Sequence, residues 1–291
     1  MVAYLAMRVG TGLVGLLPFK VAITLGEWAG RLFGRFGTGR RQMVERHARR
    51  LGIPDAALKA HIGDVFAAYG RYWAEALWIR PRRKPFVDAR TTDEGLHHLD
   101  AARQAGGGAI VALPHMGNWE YAATVGTRLG LEVVAVAENL RNQRIRNWFL
   151  EMRDAMDIGI VLATGGSHVI RELEKVLARN GVVALLCDRD IKGKGVLVEF
   201  FGERTTMPAG PASLAIRTGA PLMAAATYFD GDGHHVVIRP PIAIPDGGER
   251  GGRIQAATQV LAREIEDLIR AAPDQWHLLQ PNWPSDREAD R

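Results

Sequence analysis

Ala109-Ile110-Val111-Ala112-Leu113-Pro114-His115-Met116-Gly117-Asn118-Trp119-Glu120 is the stretch on which the fold turns. Five apolar residues stop at a proline and a helix is expected to begin within Gly117–Trp119, which is how a buried strand feeds a helix. Similar apolar runs recur at Val133–Ala137, Val161–Leu162, Val182–Cys187, Leu222–Tyr228 and His235–Ile238. Amphipathic stretches separate or follow them: Gly95–Gln104, Asn118–Leu129, Gln143–Met156, Ser167–Arg179, Pro208–Thr218 and Gly252–Ala272. Such alternation predicts one α/β unit over residues 86–291.

Upstream, helices are expected over about 4–34, 40–51 and 55–80, a helical region of residues 1–85 that closes in the basic, proline-broken connector Arg80-Pro81-Arg82-Arg83-Lys84-Pro85. The longest charge-free stretch there, Val9–Phe19, falls short of the ~20 residues a spanning helix needs. Apolar residues beside Arg31, Arg35, Arg40, Arg41, Arg46, Arg49 and Arg50 suit a segment lying in a membrane interface against anionic lipid, and equally a buried helix pair with a solvated basic face.

The net charge of +5 comes almost entirely from arginine, since only six of the 37 basic residues are lysine. That balance fits anionic headgroups or phosphorylated substrates, and with no RNA-reading motif or zinc-finger spacing nucleic acid is not an expected partner. The single cysteine, Cys187, excludes an internal disulfide and reads as a packed strand residue.

The chemistry is expected where strands end. His115 follows the first strand, where open α/β sheets form their ligand crevice, and a histidine there can take a hydroxyl proton if an acceptor holds its other nitrogen. Glu120 could be that acceptor; so could Asp188, which follows Val182–Cys187 in Asp188-Arg189-Asp190. Spacing alone leaves open a histidine that merely caps the helix, with Glu120 favouring its dipole. Lys192 and Lys194 are candidates for phosphate contact, Arg153 for a helical arginine facing the crevice, and Thr164-Gly165-Gly166-Ser167 for an anion nest or a simple turn. There is no Gly-x-Ser-x-Gly elbow and no Walker or dinucleotide fingerprint, so acyl transfer, if it occurs, is expected to go directly from donor to acceptor.

The run His115-Met116-Gly117-Asn118-Trp119-Glu120 resembles the His-x4-Asp/Glu signature of the glycerolipid and lipid A acyltransferases. The Gly-Asn-Trp filling is closest to the bacterial branch that holds the lipid A late acyltransferases and the phosphatidylinositol mannoside acyltransferases. Arg153, Asp188-Arg189-Asp190, Val198–Glu203, Thr206–Ala212 and the tail Asp274–Trp283 match in order, and Asp-Arg-Asp with Trp-His-x-Leu-Gln-Pro favours the mannoside enzymes. The resemblance implies a single three-layer α/β acyltransferase domain with an N-terminal helical, membrane-associating region. It implies transfer from an acyl-CoA, palmitoyl-CoA in particular, to a mannose hydroxyl of a phosphatidylinositol mannoside, by a peripheral protein on the cytoplasmic face of the inner membrane, with no metal, cofactor or acyl-enzyme. His115 would be the base and Glu120 and Asp188 its acids. Asn118, Arg153, Arg189, Asp190, Glu199, Phe200, Gly202 and Glu203 would contact substrate, and Phe200-Phe201 could line an acyl groove. Family members carry Asp where this chain has Glu120 and Glu where it has Asp188, so which acid holds the imidazole stays open. Competing readings are an acceptor that is a lipid A precursor or another lysolipid, a metal-dependent phosphoesterase using His115, Asp188 and Asp190, and a non-catalytic lipid-binding protein.

Overall fold

The computed structural model describes residues 2–164, 167–190 and 193–288. Four helices come first: α1 (Val2–Val14), α2 (Phe19–Phe36), α3 (Thr38–Arg50) and α4 (Asp55–Trp78). The helix expected over 4–34 is therefore two helices, because Pro18 has no N–H to continue the first and sits as the extended residue before the second. The connector after α4 is a 3₁₀ turn, Pro81–Arg83, leading into α5 (Lys84–Asp88).

The α/β part runs β1 (Thr91–Glu94), α6 (Leu96–Ala105), β2 (Ala109–Leu113), α7 (Ala123–Arg128), β3 (Val133–Glu138), α8 (Gln143–Asp154), β4 (Ile158–Ala163), α9 (Ser167–Ala178), β5 (Val182–Leu186), β6 (Val196–Phe200), β7 (Glu203–Met207), α10 (Gly210–Thr218), β8 (Leu222–Asp230), β9 (Gly233–Ile238), α11 (Arg250–Ala271) and α12 (Pro284–Glu288). Seven strands form one sheet in the order β1-β9-β8-β2-β5-β3-β4. Neighbours are parallel except β8 and β9, and β6 pairs with β7 as a separate hairpin. All six strands expected from the sequence are present; β1, β6 and β7 were not anticipated.

β2 and most of β8 are buried without alternation, as strands covered on both faces must be. Ile110 and Ala112 point into one core with Leu173, Leu177, Leu214, Leu261 and Ile265 from α9, α10 and α11. Val111 and Leu113 point into the other, with Leu99, Val125, Trp148 and Met152 from α6, α7 and α8. α4 is tied to this sheet by Arg71, which donates to the carbonyls of Gly231 (2.8 Å) and Gly233 (3.1 Å) in the β8–β9 turn. α2 lies across α4 at Gly26, Gly30 and Gly70, where a Cβ would strike the opposing backbone.

The apolar residues left over cluster on α1, α2 and the link between them. Leu5, Val9, Leu13, Leu16, Leu25, Trp28 and Phe36 are all more than half exposed. No helix among the described residues is long and apolar enough to cross a membrane.

Candidate active site

β2 and β5 are parallel neighbours in register, Leu113 beside Leu186. His115 and Asp188 each lie two residues beyond that pair, so the register itself brings them together at the carboxyl edge of the sheet. His115 Nδ1 is 2.6 Å from Asp188 Oδ1, and the His115 backbone N–H donates to Oδ2 at 3.0 Å. An ionised carboxylate only accepts, so Nδ1 carries the proton and Nε2 is left as the basic nitrogen. Asp188 is fully buried. Burial alone would raise its pKa, but the His115 ring, through charge and hydrogen bond, with the Trp276 indole N–H and the His115 N–H, holds it below the ordinary carboxylate value.

Glu120 does something else. The segment expected to start a helix begins as a 3₁₀ turn, Trp119–Ala122, which aims Glu120 at α8, where Arg153 Nε and Nη2 hold it at 2.8–3.1 Å. Of the two acids left open by spacing, Asp188 is therefore the one that bonds the imidazole. Burial disfavours the Arg153 charge, yet the Glu120 carboxylate beside it holds the Arg153 pKa above the usual guanidinium value.

The loop carrying His115 is pinned from behind. Met116 bridges Trp276, Gly117 N–H donates to the Gln275 carbonyl (3.0 Å), and His277 N–H to the His115 carbonyl (2.7 Å). Gly117 has φ +53°, and a Cβ there would collide with the Thr227 carbonyl of β8. Asn118 is buried and donates to Glu75 of α4 (2.7 Å), which also meets His234 (2.9 Å) and Arg71 (2.9 Å). Burial works against the Glu75 charge, but His234, Arg71 and Asn118 together keep its pKa low.

In front of His115 opens a cleft of about 310 Å³, bounded by Tyr72, Trp119, Arg146, Phe149, Arg153 and Arg189, with Val136–Glu138, Leu162 and Leu186 from the ends of β3, β4 and β5. Tyr72 stacks on Trp119 with ring centroids 4.2 Å apart, and Trp119 meets the His115 ring edge-on at 5.3 Å. Trp119, Val136, Arg153 and Leu186 also border a second cavity, about 70 Å³, which runs beneath the sheet among Leu99, Val111, Val125, Val133, Val182 and Ile238. A cleft with charged side chains in its lining and an interior apolar pocket thus share one wall beside the histidine.

The other residues singled out in the sequence divide. Arg153 and Arg189 line the cleft, and Arg189 also donates to Gln280 (2.9 Å). Asn118 lies behind the histidine, and Asp190 accepts from Gly195 N–H at 2.6 Å. Glu199, Phe200, Gly202 and Glu203 belong to the β6–β7 hairpin and do not border the cleft. Phe201 and Gly202 form its two-residue turn, and Glu199 N–H is held by Gln259 at 2.8 Å. Phe200 stacks on Trp283 (5.7 Å), and Glu203 accepts from Arg50 of α3 (2.8 Å). This block locks the C-terminal segment to the core, and Phe200-Phe201 packs there rather than lining an acyl groove. Cys187 is fully buried, and burial, reinforced by the neighbouring Asp188 charge, pushes its thiol well above the usual pKa. Lys194 is exposed, while Gly165, Gly166 and Lys192 lie outside the described residues. Among the described residues no three His, Cys, Asp or Glu side chains gather as metal ligands, so His115, Asp188 and Asp190 do not form the cluster the phosphoesterase reading needs. Tyr72 and Glu75 stand in no motif of the sequence, and Trp276 and His277 stand only within the tail block Asp274–Trp283, so nothing in spacing marks these four as neighbours of the histidine loop.

The bacterial lipid A biosynthesis acyltransferase family model matches residues 2–285. The chain belongs to that family. It is an acyltransferase. It is 36% identical, over 98% of its length and 90% of the relative's, to a phosphatidylinositol mannoside acyltransferase of Mycobacterium tuberculosis. It is 35% identical to one from Mycolicibacterium smegmatis, over 99% of its length and 93% of the relative's.

Proposed function

We propose that this acyltransferase moves a fatty acyl chain, palmitoyl in particular, from acyl-CoA directly to a mannose hydroxyl of a phosphatidylinositol mannoside, with His115 as general base. The observation that carries this reading is His115, held by the buried Asp188, at the point where the cleft meets an apolar pocket. His115 Nε2 takes the hydroxyl proton as the oxygen attacks the thioester carbonyl. The tetrahedral adduct then collapses, the carbon–sulfur bond breaks, and the imidazolium returns the proton to the departing thiolate. A thioester is already activated, so a base worth ~100-fold or more and stabilisation of the oxyanion are the main demands. The apolar pocket suits the first few carbons of the acyl chain, and Arg146 and Arg189 at the cleft suit the phosphates of CoA. The acceptor is read across from the two mycobacterial relatives. Direct transfer is favoured because Cys187, buried with a raised pKa, is a poor nucleophile.

The exposed apolar residues of α1 and α2, interspersed with Lys20, Arg31 and Arg35, fit a surface that rests in the cytoplasmic leaflet and brings the cleft to its lipid. The test is an acceptor panel: a phosphatidylinositol mannoside, a lipid A precursor and a lysophospholipid, each with palmitoyl-CoA, and products weighed by mass spectrometry. One palmitoyl group added to the mannoside alone is expected. Acylation of another acceptor in its place overturns the assignment.

A further inference from the structure

The Asp188 carboxylate accepts three hydrogen bonds, and they divide unevenly between its oxygens. Oδ1 takes only the His115 ring, whereas Oδ2 takes the His115 backbone N–H (3.0 Å) and the Trp276 indole N–H (2.8 Å). Asn282 Nδ2 holds the Asp188 backbone carbonyl at 3.0 Å. Trp276 and Asn282, both from the C-terminal tail, therefore grip this residue at its side chain and its main chain.

Trp276 has little freedom to do otherwise. It is 3% exposed, and its ring lies among His47 (5.5 Å), Phe201 (5.7 Å), Phe200 (6.3 Å) and Trp283 (6.4 Å). His47, on α3, is itself held between the Leu278 carbonyl (3.0 Å) and Asp286 (3.4 Å). A buried tryptophan whose shape alone mattered could leave its N–H toward any neighbouring acceptor; this one spends it on the carboxylate that orients the histidine.

We propose that Trp276 is a positioning residue: its indole N–H fixes the rotation of the Asp188 carboxylate, so that Oδ1 alone faces His115 Nδ1 and the imidazole is held as a single tautomer with Nε2 basic. The proposal deepens the catalytic reading given above and rests on it for its effect on turnover, but its effect on the tautomer does not depend on which acyl group or acceptor is used. Without that donor the carboxylate keeps only the backbone N–H on Oδ2 and can turn, letting the ring proton distribute over both nitrogens. The other titratable groups whose charge is felt at the pair are the Cys187 thiol and the His277 imidazole. Neither could replace the indole: the Cys187 thiol is directed at the Leu113 carbonyl, and the His277 ring nitrogens make no hydrogen bond.

The experiment uses the full chain with Trp276 replaced by benzothienylalanine, which keeps the ring shape and substitutes sulfur for the N–H, alongside Trp276→Phe. Circular dichroism verifies folding, nitrogen-15 NMR of labelled histidine reads the His115 tautomer, and palmitoyl transfer is followed in parallel. Both variants are expected to turn one His115 tautomer into a mixture and to lower kcat about tenfold at unchanged KM, the scale of one hydrogen bond to a charged group. A wild-type His115 spectrum in the folded benzothienylalanine protein overturns the proposal whatever the turnover. A wild-type protein that transfers no acyl group would instead count against the catalytic reading, leaving the tautomer result to judge Trp276.

Discussion

At the scale of single residues, the two acids near His115 have different work, and substitution separates them. In Asp188→Asn an amide NH2 cannot sit where Oδ2 meets two N–H donors. The amide must turn its NH2 toward His115 Nδ1, which drives the ring proton to Nε2 and blocks the base. Turnover should fall by about 100-fold or more with KM little changed. Glu120→Gln leaves that pair intact but strands Arg153, so it should cost roughly 3 kcal/mol of stability in urea melts and less than tenfold in kcat. Equal losses of kcat in the two variants would contradict this division. His277 gives a second test. Burial first, and then the nearby His115, lower its pKa to about 3, and both ring nitrogens lack a hydrogen-bond partner. Because the folded state binds the proton less readily than the unfolded chain, stability is full above about pH 6.5 and falls as pH drops toward 3, by up to about 1.4 kcal/mol per pH unit. His277→Asn should flatten thermal stability between pH 7 and 5 relative to wild type; an identical pH slope would show that His277 is not held neutral.

At the scale of elements, the strands that build the site were legible because they are unbroken apolar runs, and the His115–Asp188 meeting was legible because both residues follow such runs. What spacing did not show is that β2 and β5 are neighbours in register, which is what turns two strand ends into one pair. β1, Thr-Thr-Asp-Glu at the sheet edge, has no apolar run to see, and β6–β7 is a short hairpin whose residues looked like part of a binding block. Spacing left open whether Glu120 or Asp188 holds the imidazole because a 3₁₀ turn, with three residues per turn, aims position 120 differently from the α-helix expected there. The loop between β2 and that turn depends on Gly117. Gly117→Ala puts a Cβ against the Thr227 carbonyl at a positive φ, so the loop must lift from β8 and carry His115 away from Asp188. Circular dichroism should remain close to wild type while kcat falls at least tenfold, as expected for a misplaced base; full activity in this variant would show that the loop's seat is not what fixes the histidine.

At the scale of the whole molecule, the sheet, the tail and the helical region converge on one edge. α3 locks the tail through His47, which meets Leu278 and Asp286, and Arg50, which meets Ser285 and Asp286; the tail holds Asp188 through Trp276 and Asn282, and α4 supplies Tyr72 and Glu75 around the histidine loop. The apolar surface of α1 and α2 is the part of this arrangement turned outward. Replacing Trp28 and Phe36 together by Ser should weaken binding to anionic phospholipid vesicles about tenfold or more in a sedimentation assay, since two large apolar side chains each contribute on the order of 1.5–3 kcal/mol when buried. Turnover of a detergent-solubilised acceptor should be unaffected. Unchanged vesicle binding would place the lipid contact elsewhere. The central claim, that His115 is the base of a direct acyl transfer, is tested most directly by the rate of palmitoyl transfer from palmitoyl-CoA to a phosphatidylinositol mannoside in wild type and His115→Gln, with product mass read in both. The account predicts a singly acylated glycolipid from wild type, a rate at least about 100-fold lower from the folded variant, and no acylated protein in either; wild-type turnover by His115→Gln would contradict it.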